Sequence, residues 1–310
     1  MQEGEIFLSK INRLSKVFHS AAQIPYSNQS RIVIMSDCHR GDGDWADNFS
    51  NNQNLFFAAL SYYYDKEYTY IELGDGDELW ENRNYKRIIS THSDAFWLMS
   101  KFYQEGRFYM LYGNHDIVKS KEDYMSNNCS WYFDESTKQE VPLFPKIIPY
   151  EGLVLTHVNA GHQLFLTHGH QVDFINSNLW RLTRFLVRYL WRPLELVGFH
   201  DPTSTAKNHE KKVAVEKSLM KWSEHNHTLL IAGHTHRPVF PKVGEPLYFN
   251  DGSCVHPRCI TALEIEDDAI SLVKWVIKPR KNRSLYIERV LLEGPVKIED
   301  FYRGKVSLST

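Results

Sequence analysis

Apolar positions Ile6, Phe7, Leu14, Val17 and Phe18 recur at a loose helical spacing. They predict a helix over residues 5–19, packed on the outside of a domain. Residues 31–35 (Arg-Ile-Val-Ile-Met) then read as a buried strand, 54–64 as a helix, 68–73 as a second strand, 85–104 as one long helix and 108–112 as a third strand. Strand, helix, strand, helix, strand implies parallel pairing through helical crossovers. The later chain changes character. Strands are expected at 152–155, 163–166 and 228–231, then at 247–249, 260–265, 270–277 and 285–292. Gly-Ser and Asp-Asp turns separate several of them, which implies a second sheet. Between these runs, residues 173–226 read as helical and as an insertion, a cap on the fold.

The polar residues that end the strand-like runs change the picture. Five short motifs follow in order: Asp37-Cys38-His39, Gly74-Asp75, Gly113-Asn114-His115-Asp116, His168-Gly169-His170 and Gly233-His234-Thr235-His236. Carboxylate, imidazole and amide oxygen suit hard and borderline cations. Two such ions about 3.5–4 Å apart can activate a shared water and clamp a phosphoryl group. In α/β sheets, sites form at the carboxyl ends of strands. Asp75, after a glycine at a strand end, is the natural carboxylate to touch both ions. Asp37 and His39 alternate, as do His234 and His236. In extended backbone each pair would point to one side and so to one centre. Cys38, between two ligands, then points the other way, into the core. His157 and His162 lie outside the motifs and read as structural.

The ordered set D-x-H, G-D, G-N-H-D, H-G-H and G-H-x-H, from Asp37 to His236, resembles the calcineurin-like metallophosphoesterases. The resemblance implies an α/β fold: a two-sheet β-sandwich flanked by helices on both faces, here as one domain over 1–310 with the helical cap 173–226 inserted. It implies Asp37, His39, Asp75 and His236 on a first metal. Asp75, Asn114, His168 and His234 fall on a second. The family uses the first histidine of H-G-H, which leaves His170 behind the ligands. His115 is implied as the general acid, with Asp116 orienting it and raising its pKa. Arg40, Asn82, Arg83 and Arg237 are the nearest candidates for touching substrate.

The implied activity is hydrolysis of a phosphodiester, phosphomonoester or pyrophosphate by metal-bound hydroxide, with two divalent or trivalent ions. Manganese is the leading expectation, and iron or zinc also suit the donor set. Within the family, the block Gly74-Asp75-Gly76-Asp77-Glu78-Leu79-Trp80, the helical insertion and Gly233-His-Thr-His-Arg-Pro238 are similar to UDP-2,3-diacylglucosamine hydrolases, which act on a lipid-linked nucleotide. That branch carries Arg after the metal-binding Asn, whereas this chain carries His115. A serine/threonine protein phosphatase fits less well, because G-N-H-E and an Asp-Arg-Gly block are missing. A metal-bound scaffold without catalysis fits less well too, since no expected ligand is lost.

Composition sets bounds. The chain has 310 residues, 42% hydrophobic and 24% charged, and a formal net charge of -2. It can bury a sizeable core, and no global positive field favours nucleic acid. Its four cysteines show no zinc spacing, and with no signal-like or spanning apolar run the expectation is a cytoplasmic protein with free thiols. A Cys254–Cys259 disulfide is the minor alternative. Within 178–192, Arg181, Arg184, Arg188 and Arg192 form a stripe beside a broad apolar face. That pattern fits peripheral membrane contact or an anionic amphiphile, and equally a packed cap helix. Lys207, Lys211, Lys212, Lys217 and Lys221 mark a second basic helix over 205–224, most simply a solvated face.

Overall fold

The computed structural model describes residues 3–134, 137–173 and 209–304. The chain enters through helix α1 (Glu3–Ser20) and strand β1 (Ala22–Tyr26). β2 (Ile32–Met35), α2 (Gln53–Asp65), β3 (Thr69–Leu73), α3 (Tyr85–Thr91), α4 (Ser93–Gln104) and β4 (Phe108–Leu111) follow in the expected order. β2, β3 and β4 pair in parallel, as helical crossovers require. After α5 (Glu122–Cys129) come the hairpin β5 (Trp131–Asp134) and β6 (Gln139–Pro142), then β7 (Gly152–His157) and β8 (Gln163–Thr167). Helix α6 (His209–Asn226) leads to β9 (Leu229–Ala232), β10 (Tyr248–Asn250), β11 (Cys259–Glu266), β12 (Ala269–Pro279), β13 (Leu285–Lys297) and the short helix α7 (Ile298–Arg303).

Two mixed sheets result. One has the order β1-β7-β8-β9-β10, the other β13-β12-β11-β2-β3-β4. Side chains alternate across a strand, so each sheet serves two cores. Ile32 and Ile34 of β2, with Ile71 and Leu73 of β3, face Leu153, Leu155, Leu164 and Leu166 of the other sheet. Val33, Met35, Tyr70 and Met110, on the opposite face, pack under α2, α3 and α4. Val154, Phe165 and Leu230 pack instead under α1 and α6, where Trp222 donates its indole N–H to Ser15 Oγ at 2.9 Å. The order of layers is helices, sheet, sheet, helices, which is the expected sandwich.

Several expectations needed correction. The helix over 85–104 is two helices, broken at His92, whose backbone leaves the helical region (φ -110°, ψ 38°). Its ring is fully buried between Asp47 Oδ2 (2.8 Å) and Gln53 Oε1 (3.1 Å), so tertiary partners override local helix propensity. β1 went unforeseen because it is only five residues long and contains Pro25, yet it forms an edge strand parallel to β7. The hairpin β5–β6 was also missed. All four cysteines are free, and Cys38 is fully buried in the core. His157 and His162 form a buried cluster with Tyr26 and Asp268 on the side of β1 and β7. Of the expected cap, α6 is described, and its inner face packs Val215, Leu219 and Trp222 on the sheet. Residues 174–208, with the arginine stripe over 178–192 and Lys207, lie outside the described residues. No described helix is long and apolar enough to cross a membrane.

Candidate metal centre

The motifs converge at the carboxyl ends of β2, β3, β4, β8 and β9. The backbone there is unusual. Asp37 (φ 51°), His39 (47°), Asp75 (48°), His234 (66°) and His236 (54°) all occupy the left-handed region. Non-glycine residues rarely do so, and such strain concentrates where a site needs it. Asp37/His39 and His234/His236 therefore do not alternate along extended segments. Each pair does reach a single centre, but through two left-handed kinks. Cys38 between the first pair still turns inward to the core.

Three overlapping histidine–carboxylate groups result among the described residues. Ligand atoms of Asp37, His39 and His236 lie within 4.8 Å of one another, and so do those of Asp75, His168 and His234; the third group, His39, Asp75 and His115, shares a residue with each of these two. Asp37 Oδ1 stands 3.0 Å from His236 Nε2 and 3.6 Å from His39 Nε2. Asp75 Oδ2 stands 3.1 Å from His168 Nε2 and 3.9 Å from His39 Nε2, which places one carboxylate oxygen between the groups. The other oxygen of each carboxylate is already used. Asp37 Oδ2 accepts from Ser36 Oγ (2.5 Å) and His234 N (2.9 Å), and Asp75 Oδ1 accepts from His115 N (2.8 Å).

Buried polar atoms without partners cost free energy unless something else binds them. Asp37 Oδ1, His168 Nε2 and both amide atoms of Asn114 are buried and make no hydrogen bond. Asp37 and His168 are members of the first two groups above. His168 is held for this from behind, because its Nδ1 faces Leu73 O at 3.1 Å. His234 Nε2 lies 3.5 Å from Asp173 Oδ2, and His39 Nδ1 lies 3.0 Å from Glu78 Oε2. Asp173 and Glu78 were not singled out from the sequence. A donor set of oxygen and imidazole nitrogen with orphaned inner atoms and occupied outer atoms fits two borderline cations. Burial disfavours the charged forms here, yet the neighbouring imidazoles hold Asp37 and Asp75 well below the usual carboxylate range, and Asp75 with Asp37 lifts His168 to about 9. A cation would take the place of those protons.

Glycines make room for this convergence. A Cβ on Gly113 would stand 2.2 Å from Asp75 Oδ1, and one on Gly233 would stand 2.3 Å from Ser36 Oγ. No side chain fits at either position.

His115 sits at the rim with a quarter of its side chain exposed. Its Nδ1 is 2.7 Å from Glu78 Oε2, and its ring stacks on Trp80 at 4.2 Å between centroids. Burial alone would depress its pKa, but Glu78 and Asp75 raise it above the ordinary imidazole value. Asp116 does not touch the ring. It accepts from Gly113 N (2.7 Å), Gly76 N (3.1 Å) and Lys119 Nζ (2.7 Å), and so ties the G-D and G-N-H-D loops together. The carboxylate beside the His115 ring is that of Glu78 instead.

The candidate substrate residues separate. Arg40 is fully buried, with Glu72 and Asp77 each at 2.7 Å, and has no face toward a substrate. It belongs instead to a buried network with Lys119, Asp116 and Tyr85. Asn82 is buried and donates to Glu78 O, which leaves its Oδ1 without a hydrogen bond. Arg83 is exposed. Arg237 is half-exposed and pairs with Glu216 of α6, which also accepts from Thr235.

The chain belongs to the calcineurin-like phosphoesterases, whose family profile matches residues 30–238. It is accordingly a metal-dependent phosphoester hydrolase. Among solved structures it is similar to Vps29 of Chaetomium thermophilum, at 11% identity, 86% of this chain, 99% of that one and a TM-score of 0.37. It is also similar to GAP50, the anchor in the inner membrane complex of Plasmodium, at 10% identity, 91% of this chain, 95% of that one and a TM-score of 0.40. No curated protein matches the sequence.

Proposed function

We propose that this chain hydrolyses small phosphate esters whose leaving oxygen needs a proton, a phosphodiester before a monoester. The observation that carries this is His115 at the rim, backed by the Glu78 carboxylate and stacked on Trp80. Asp37, His39, Asp75 and His236 would hold one metal, and Asp75, Asn114, His168 and His234 the other. The two ions, manganese first, would activate water and neutralise the phosphoryl oxygens. The rest of the chemistry belongs to the chain. Glu78 keeps His115 protonated and fixes its ring, His115 Nε2 gives the proton to the departing oxygen, and Asn82 and Arg83 are near enough in sequence to steer the ester.

The narrower reading, a pyrophosphate hydrolase for a lipid-linked nucleotide, is supported by the Gly74–Trp80 block, in which Glu78 and Trp80 both engage His115. The single-domain organisation over 1–310 with a cap at 173–226, and a cytoplasmic location, belong to the same proposal.

Purified protein loaded with manganese should hydrolyse bis-p-nitrophenyl phosphate, and a chelator should abolish the turnover. His115→Ala should lower turnover of an alkyl diester by roughly 10²–10⁴-fold and spare nitrophenyl esters, whose leaving group needs no proton. Equal loss on both esters would refute the acid role. No turnover of any ester by protein holding two metals per chain would refute the diester reading.

A further inference from the structure

Strand β5 alternates the wrong way for a finished surface. Trp131 is 53% exposed and Phe133 51%, while Tyr132 between them turns toward the core. On a two-stranded hairpin, i and i+2 share a face. Both rings line a cleft of about 570 Å³ between the hairpin and helices α3 and α4. Trp97 of α4, 44% exposed, lines the same cleft. All three rings are about half exposed where they line the cleft, and Lys101 Nζ lies over the Trp97 ring. Asp94, Asp134 and Glu140 also line the cleft, against a single cation, Lys86.

Aromatic faces are negative, and carboxylates nearby add to that field. Trp97 already shows the preference, since Lys101 Nζ lies 5.5 Å from its ring centroid. An anionic ligand or an anionic lipid surface would meet the wrong charge. A sugar would use the ring faces but not the charge. We propose that this cleft binds an alkylated ammonium group, with Trp97, Trp131 and Phe133 as the cage and Glu140 and Asp94 as the counter-charge. None of these residues belongs to the metal centre, so the site stands apart from the hydrolytic reading.

The test is equilibrium binding of choline to the full-length, metal-loaded protein by calorimetry at constant ionic strength. Its neutral isostere 3,3-dimethylbutanol and a methyl glycoside run as parallel ligands. Saturable choline binding is expected, weakened about tenfold by Trp131→Ala and by Trp97→Ala. Glu140→Gln should weaken it less, and melting temperature and ester hydrolysis should be unchanged in all three. Equal binding of the neutral isostere would show a plain apolar groove and overturn the proposal. So would preferential binding of the glycoside, no saturable binding of choline, or binding indifferent to Trp97 and Trp131. If an alanine variant lowers the melting temperature, Trp131→Phe, which keeps a ring, must retain binding, and its loss would count against the cage.

Discussion

At the scale of single residues, the metal centre is made by side chains that are each used on both sides. Asp37 and Asp75 spend one oxygen on backbone or hydroxyl donors and leave the other facing inward. His168 and His39 are gripped from behind by Leu73 O and Glu78. Glu78 also serves His115, which gives a prediction that separates it from Asp116. Glu78→Gln keeps shape and removes charge, so His115 should lose its proton at lower pH. Because the acid must be protonated, the alkaline limb of the kcat profile should move to lower pH. Asp116→Asn should lower stability and leave that limb where it is. The opposite pattern would restore Asp116 as the partner. Gly113→Ala forces a methyl onto the Asp75 carboxylate. It should weaken metal binding by at least about tenfold, since displaced supporting groups cost that much at other metal sites, and calorimetric titration with manganese would show it.

At the scale of elements, the ligand motifs work because strands end in left-handed kinks, which no periodicity announces. The break between α3 and α4 is also unannounced by periodicity: His92 leaves the helix to meet Asp47, and Asp47 in turn accepts from Gly43 N and Phe49 N. Burial alone would raise the Asp47 carboxyl, but the His92 hydrogen bond and charge, with the Gly41 and Gly43 amides, hold it below its ordinary value. A carboxyl depressed in the folded state stabilises above its unfolded pKa, and that contribution is lost as pH falls through the folded one. Urea unfolding followed from about pH 5 downward should therefore show a steeper loss for the wild type than for Asp47→Asn. Parallel slopes would mean the interaction carries no linkage.

At the scale of the whole molecule, the candidate centre sits where both sheets meet, with the proposed ligands following β2, β3 and β4 on one side and β8 and β9 on the other. Metal binding should therefore bind the sheets together and stabilise the fold by mass action. At a hundredfold excess over Kd the gain is about 2.7 kcal/mol, so chelation should lower the melting temperature of the wild type and much less that of Asp75→Asn. A melting temperature indifferent to chelator would mean that no tight ion bridges the sheets.

Much of the layering was legible in the chain. Runs such as Ile32-Val33-Ile34-Met35, short, β-branched and apolar on both faces, suit strands buried on both sides, and the alternation with helical segments favours parallel pairing. Asp37, His39, Asp75, His168, His234 and His236, read from the motifs as metal-binding types, lie close to one another in the fold, because ligand type is a matter of side-chain chemistry. What tertiary structure alone decided is partnership. Glu78 rather than Asp116 stands behind His115, and Asp173 stands behind His234. Arg40, a plausible substrate contact by position, is locked between Glu72 and Asp77. The physical reason is that hydrogen-bond partners are chosen among groups far apart in sequence. That choice follows from which strand ends and loops the two sheets bring within about 3 Å, a distance that local spacing does not encode.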